Sequence, residues 1–480
     1  MANNPAVKIR DLKKNYGALE AVKGINLDVC AGEIFGLIGP DGAGKTSTFQ
    51  ILGGVMQATA GTAEMFGVNA RDARPFVGYL TQAFSLYQDL SVQENIDYLG
   101  ELRLVPRDQI HERGMRYLRM FDMDRFTPRL AGRLSGGMKQ KLALTCALIA
   151  EPKILLLDEP TTGVDPVSRR EFWDALAQLS ADGMTIVVAT PYLDEAERCH
   201  RVALMFDGEI HQVGTPKELK EGLGLQRLEV RAANLRHAED VLGKTAGIHD
   251  AQRFGDRLDV MVKDTATGER AVREALQQAD NRLIEIRYGV PTLENTFVSV
   301  LRNLHPEQPI APFPVRREFR ARKPGAVAIG ATMLNKRFGE FHAVKDITLK
   351  IQYGEIYGLL GANGAGKTTT IKMLCGLLNA TSGEMTLADE KGSFRSSSVR
   401  QRIGYMSQKF SLYDDLTIGE NLDFFAGVYG IPRADRADKK QWVLEFAELA
   451  GKADQMVGSL PGGWTSTTCR TGAMTPSSRT

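Results

Sequence analysis

The sequence predicts an α/β protein in which a parallel, helix-covered sheet is written twice, with a small α+β module between the copies. Three observations carry that expectation. Short aliphatic runs (EIFGLIG, KILLLD, TIVVAT, RVALMF) alternate with helical stretches, the pattern of strands buried between helical layers. A glycine-rich loop, GPDGAGKT at Gly39–Thr46, recurs as GANGAGKT at Gly361–Thr368, with Lys45 and Lys367 322 positions apart. Further on, QAFSLYQDLSVQEN (Gln82–Asn95) recurs as QKFSLYDDLTIGEN (Gln408–Asn421), and LSGGM (Leu134–Met138) as LPGGW (Leu460–Trp464), both 326 positions apart.

In chain order, a first copy is expected over residues 5–222. From residue 225 to 304 the texture changes: LQRLEVRAA, RHAEDVLGKTA, IHDAQRFGD, RLDVMVKD, ERAVREALQQAD and RLIEIRYG read as β-α-β-β-α-β, a ferredoxin-like order. Residues 305–327 hold five prolines and a cluster of Arg and Lys, which reads as a stiff, solvated tether; contact with an anionic membrane surface is the alternative. The second copy spans 328–464. The tail, 465–480, has nine Ser or Thr and no apolar periodicity, so it is expected to be disordered.

Composition narrows the class. A length of 480 residues suits about three domains, and 43% hydrophobic with 25% charged residues is an ordinary globular balance. A net charge of +2 offers no electrostatic footprint for nucleic acid. The five cysteines (Cys30, Cys146, Cys199, Cys375 and Cys469) show no CxxC spacing, which argues for reduced thiols rather than a disulfide frame or metal site. MANNPAVKIR has no apolar leader, and LALTCALIA (Leu142–Ala150) is too short to span a bilayer. The chain is expected to be soluble on its own.

The repeated loop is the chemical centre. Gly39, Pro40, Asp41, Gly42, Ala43 and Gly44 lie between an apolar run, Ile34–Ile38, and a helix expected to begin at Lys45, followed by Thr46 and Ser47. Backbone N–H groups and a helix N-terminus then face phosphate oxygens, and glycine lets the backbone approach closely. Lys45 would reach the β- and γ-phosphates of a nucleotide, and Thr46 would offer its hydroxyl to Mg²⁺. Gly361, Ala362, Asn363, Gly364, Ala365, Gly366, Lys367, Thr368 and Thr369 repeat the arrangement, with Thr368 as the second metal-facing hydroxyl. Both halves therefore bind nucleotide or descend from something that did.

ILLLDEP (Ile154–Pro160) is an apolar strand ending in two adjacent carboxylates. Side chains alternate along a strand, so Asp158 can hold Mg²⁺ through water while Glu159 polarises an attacking water. The plainer alternative is an acidic pair capping the next helix. Ser135, Gly136 and Gly137 precede another amphipathic stretch and supply a capping serine with free N–H groups.

Together these motifs resemble the nucleotide-binding domain of ABC-type ATPases over nearly all of residues 5–215 and 328–464. The resemblance implies two P-loop NTPase domains joined by a small α+β accessory domain, with ATP and Mg²⁺ as ligands. It gives Tyr16 and Phe338 the role of stacking on adenine. It makes Gln82 and Gln408 the Q-loop glutamines, with Gln82 at the metal and the catalytic centre. Ser135 becomes the signature serine, Asp158 the Walker B aspartate, Glu159 the catalytic glutamate and Asp165 the D-loop aspartate. VPTLENTFVSVLRNL (Val290–Leu304) looks like the tail that closes the accessory domain in drug-exporter subunits. The tandem layout resembles ATP-binding subunits that serve separate ABC-2-type permeases. Such a chain would sit on the cytoplasmic face of the inner membrane and drive efflux, touching the permease through the repeated SLY-x-D-L region, with a second copy of the chain as a further partner. Two rivals are a soluble tandem ATPase acting on ribosomes or nucleic acid, and a non-catalytic ATP-binding scaffold.

The sequence departs from that family's pattern at three places. Pro191 stands where a switch histidine is expected, Pro461 stands where the second signature serine is expected, and the repeat ends at Trp464 without a second carboxylate strand. Truncation or frameshift of a longer parent is the expectation, with an evolved short form as the alternative. On that reading the second copy would expose apolar surface and unpaired strand edges.

Overall fold

The computed structural model describes residues 5–304, 326–387, 390–391, 403–407, 412–447 and 449–459. Two compact units divide the chain: residues 1–134, 139–162 and 171–307 form one, and residues 135–138, 163–170 and 308–480 form the other.

The first unit opens with an antiparallel sheet. β1 (Val7–Tyr16) pairs with β2 (Leu19–Val29) and with β4 (Ala60–Met65), which carries the short β5 (Val68–Asn69). Its main sheet contains β3 (Ile34–Ile38), β6 (Val77–Leu80), β7 (Ile154–Asp158), β8 (Thr185–Thr190), β9 (Arg201–Phe206) and β10 (Glu209–Gly214), in the spatial order β10-β9-β3-β8-β7-β6. All its pairings are parallel except β9 with β10. Every residue of β3, β7 and β8 is buried, which is why these runs are continuously aliphatic rather than alternating. The six helices of this region are α1 (Lys45–Leu52), α2 (Val92–Leu102), α3 (Arg107–Met120), α4 (Gly136–Leu148), α5 (Pro166–Ala181) and α6 (Leu193–Ala196).

After α7 (Pro216–Gly222) come β11 (Gln226–Ala232), α8 (Leu235–Leu242), β12 (Ile248–Phe254), β13 (Arg257–Val262), α9 (Thr265–Gln278) and β14 (Leu283–Gly289). The four strands make an antiparallel sheet in the order β12-β13-β11-β14. Leu228, Val230, Leu258 and Val260 alternate inward from it and share a core with Ala238, Leu242, Val272 and Leu276 of the two helices. Helix α9 starts at Thr265, several residues before the amphipathic run, because the Asp264 carboxylate accepts the Thr267 N–H and caps it. Helix α10 (Leu293–Leu304) then packs on α6 and α7.

In the second unit β15 (Val327–Phe338) pairs with β16 (Phe341–Gln352) and β17 (Ser382–Leu387), and β17 carries β18 (Glu390–Lys391). Helix α11 (Lys367–Leu374) follows the second glycine-rich loop. Helices Ile418–Val428 and Arg433–Phe446 build a separate apolar cluster around Leu422, Val443 and Leu449. The repeat extends to capping chemistry: Ser91 with Glu94 and Thr417 with Glu420 form the same reciprocal box.

Two strands of the repeat do not form among the described residues: residues 403–407, which match the β6 run, carry none, and neither does the match to β3. Among the described residues Tyr353–Gly366 carries no strand, although EIYGLLG matches the β3 run. In the first copy β3 is held between β8 and β9. Ile356 and Leu360 have no such parallel neighbours among the described residues and are fully or nearly fully exposed, at 101% and 93%. An apolar run forms a strand only where ladder partners satisfy its backbone groups.

Candidate functional site

Glycine at Gly44 is required by local geometry. It caps α1 in a left-handed conformation, φ 100°, and a Cβ there would strike the Ala21 carbonyl oxygen. The same holds at Gly366 before α11, with φ 84° and the Ala343 carbonyl as the obstacle. The buried Lys45 curls back over its loop, and its Nζ donates to Gly39 O and Pro40 O, each at 2.8 Å. Burial pulls the Lys45 ammonium below its ordinary pKa, against the opposing pull of Glu159. The Asp41 and Gly42 positions are exposed, and Ala43 is buried.

The ends of β7 and α1 meet at this loop. Thr46 Oγ1 donates to Asp158 Oδ1 at 3.3 Å. Lys45 Nζ lies 3.6 Å from Glu159 Oε1. Glu159 Oε2 accepts from Gln82 Nε2 at 3.0 Å and from Thr162 Oγ1 at 3.2 Å. Both carboxylates are buried. Burial pushes the Asp158 carboxyl up to about 6, against the hydroxyl of Thr46 and the charge of Lys45. Glu159 has a positive φ of 48°, a conformation that costs a non-glycine residue on the order of 1 kcal/mol or more and clusters at functional sites. Its N–H donates to Ala189 O at 2.8 Å, tying the strained residue to β8.

Mg²⁺ takes few protein ligands and otherwise prefers phosphate and water oxygens. A hydroxyl facing a carboxylate whose burial disfavours its charge is a donor set that fits such an ion. Thr46 and Asp158 are the residues that could hold it, with Gln82 reaching the same carboxylate cluster through Glu159.

Tyr16 ends β1 with its Oη 3.2 Å from Ser47 Oγ and donates to Met56 Sδ at 3.1 Å. In the second unit Lys367 Nζ repeats the lysine curl, donating to Gly361 O at 2.6 Å and Ala362 O at 2.7 Å. Thr368 is exposed and Thr369 half-buried. Asn363 Nδ2 donates to Gly163 O at 3.1 Å, within that unit. Phe338 ends β15 and is half exposed.

Ser135, Gly136, Gly137 and Asp165 also belong to the second unit. Ser135 Oγ accepts the Met138 N–H at 3.3 Å as α4 begins. A Cβ at Gly137 would press on the Ser168 side chain. Asp165 Oδ1 accepts from Val167 N at 3.2 Å and Ser168 N at 3.1 Å. Despite some burial, these N–H groups hold its carboxyl below the usual range. Asp165 is thus the cap of α5, the plainer role of an acid at a helix start. Gln408 and Pro461–Trp464 lie outside the described residues.

Several residues of the site escaped sequence reasoning. Thr162 touches Glu159 directly. The buried Glu195 receives the hydroxyls of Thr161 and, at 2.7 Å, Thr190. The Thr190 carbonyl in turn accepts the Gly39 N–H at 3.4 Å. A hydroxyl beside the carboxylate pair in DEPTT was the available signal for the first; nothing in the spacing announces Glu195.

A glycine-rich loop capped by a curled lysine, set against a strand ending in two carboxylates, defines a P-loop protein of the α/β class. The comparisons narrow that class: a family model described as ABC transporter matches residues 22–162 and 344–471, and the chain belongs to that family. It is 37% identical over 471 residues to the probable multidrug ABC transporter ATP-binding protein YbhF of Escherichia coli, covering 96% of this chain and 80% of the relative. It is 32% identical over 305 residues to the daunorubicin/doxorubicin resistance ATP-binding protein DrrA of Streptomyces peucetius, covering 62% and 92%. It is 37% identical over 219 residues to the Nod factor export ATP-binding protein I of Paraburkholderia xenovorans, covering 45% and 72%.

Proposed function

We propose that the chain is the ATP-binding and ATP-hydrolysing subunit that powers a separate ABC-2-type membrane permease, with export of drugs or other small molecules as its work. The observation that carries this reading is the convergence of Lys45, Thr46 and Gln82 on the adjacent carboxylates Asp158 and Glu159. The first copy supplies the chemistry: Lys45 would leave its loop carbonyls for the β- and γ-phosphates, and Glu159 would orient and polarise the attacking water. Gln82 holds Glu159 in place, and Tyr16 would stack on adenine. Bound at Thr46 and Asp158, Mg²⁺ would neutralise phosphate charge. Ser135, Gly136 and Gly137 would act as the signature segment and Asp165 as the D-loop residue. The second copy would bind phosphate through Gly361–Thr368. The domain limits proposed are 5–222, 225–304 and 328–464.

The relatives named for drug resistance and export support the transport assignment. Among the described residues no helix is long and apolar enough to cross a membrane, so a permease partner would bring the chain to the cytoplasmic face of the inner membrane. Co-isolation of the full chain from cells tests the partner: an integral membrane protein that comes down with it supports the reading, and RNA in its place points to the rival ribosome- or nucleic-acid-acting class. For the site itself, in a Lys367→Ala background that removes the second loop's lysine, adding Lys45→Ala should weaken Mg²⁺-dependent ATP binding at least about ten-fold, and binding unchanged by that addition would rule out the first loop.

A further inference from the structure

A lysine stands two residues before the exposed aromatic in both copies, and both lysines make the same pair of contacts. Lys14 Nζ lies 5.2 Å from the centre of the Tyr16 ring and donates to Gln57 O at 3.0 Å. Lys336 Nζ lies 5.1 Å from the centre of the Phe338 ring and donates to Asn379 O at 2.7 Å. Residues two apart on a strand share a face, which puts each ammonium over its ring. Gln57 and Asn379 lie in the segments that follow α1 and α11, so each lysine also ties the aromatic to the far end of the phosphate-loop helix. Tyr16 and Phe338 remain 43% and 51% exposed as residues.

The lysines are not what holds the strands. Asn15 N donates to Thr59 Oγ1 at 2.9 Å and Arg337 N to Thr381 Oγ1 at 3.0 Å, so the backbone beside each aromatic is anchored without the ammonium. What the ammonium restrains is the ring. An exposed aromatic at a strand end is free to change rotamer, and a cation over one face removes that freedom. The copies differ in one respect: Tyr16 has a second restraint through its hydroxyl, at Ser47 and Met56, and phenylalanine has no hydroxyl to offer.

We infer that Lys14 and Lys336 are positioning residues for the nucleobase, each holding its aromatic ring so that the remaining surface is presented to the base in one orientation. This rests on the ATP-site reading above and adds to it the group that orders the stacking platform. Pre-organising a platform strengthens binding by removing an ordering cost.

The test uses the full chain and two probes, ATP and inorganic tripolyphosphate, which lacks a base. In a Lys367→Ala background, which leaves the first loop intact, Lys14→Met should weaken ATP roughly three- to five-fold and leave tripolyphosphate unchanged, with Lys14→Arg restoring ATP affinity. In a Lys45→Ala background, Lys336→Met should cost more than Lys14→Met does at its own site, because Phe338 has no hydroxyl restraint. ATP and tripolyphosphate weakening together would mean a general structural role and overturn the inference, as would ATP affinity unmoved by either substitution. A parent chain that binds neither probe removes the ATP-site reading and this inference with it.

Discussion

Gln82 Nε2 donates to Glu159 Oε2 at 3.0 Å, and the same carboxylate lies 3.6 Å from Lys45 Nζ through its other oxygen. Gln82 therefore touches the proposed water-polarising group without touching the phosphate loop itself. Gln82→Ala should lower the rate of phosphate release about ten-fold or more while leaving ATP affinity within about two-fold. Steady-state turnover alongside equilibrium binding checks this. Equal losses in both would place Gln82 in the nucleotide grip instead.

Asp158 makes the ligand-free protein's stability depend on pH. Its folded pKa, about 6, lies above the unfolded value of roughly 3.9. The folded state therefore keeps a proton that the unfolded state has given up. The resulting stabilisation is complete below about pH 4 and disappears as pH rises through about 6, on the order of 3 kcal/mol in all. Urea midpoints at pH 4, 5 and 7 should show that decline, with Asp158→Asn removing its share. An identical slope in the variant would contradict the assignment.

Pro191 directly follows Thr190, the last residue of β8, whose carbonyl accepts the first N–H of the phosphate loop. Proline supplies neither a side-chain donor nor a backbone N–H there. Pro191→His should raise hydrolysis several-fold if the position faces the γ-phosphate, as the family resemblance implies. A purified full chain whose rate is indifferent to the change would show that residue 191 has no part in turnover.

Glu195 joins the end of β8 at Thr190 to the turn that follows β7 at Thr161. Glu195→Ala strands two hydroxyls among buried neighbours and should destabilise the first unit by about 3 kcal/mol. Glu195→Gln, which keeps one acceptor and most of the volume, should cost less than half as much. Urea unfolding followed through the buried Trp173 reads both. Equal costs would mean that keeping the volume and one acceptor is of no use here, and that the site needs both carboxylate oxygens.

Much of this architecture was legible because the signals are local. A continuous aliphatic run ending in Asp158 and Glu159 is the mark of a strand buried on both faces, and the structure buries all of Ile154–Asp158. The glycine before Lys45 marks a left-handed helix cap, and α1 begins at that lysine. The less legible features depend on distant partners. EIYGLLG has the same pattern as the β3 run yet forms no strand, since a parallel strand needs neighbours that its own residues do not supply. Glu195 meets Thr161 across 34 positions, and no periodicity encodes that approach. Asp165 accepts from Val167 N and Ser168 N as the cap of α5, contacts that an acid at any helix start makes and that leave its chemical role to experiment.

The central claim is that Glu159, held by Gln82 and facing Lys45, is the group on which ATP hydrolysis depends. The most direct measurement is the initial rate of phosphate release by the full chain at saturating Mg²⁺-ATP, compared with Glu159→Gln. The substitution keeps the side chain's size and removes its charge. Release should fall by about two powers of ten or more, with ATP still bound. Phosphate release that continues at the parent rate in Glu159→Gln would contradict the account.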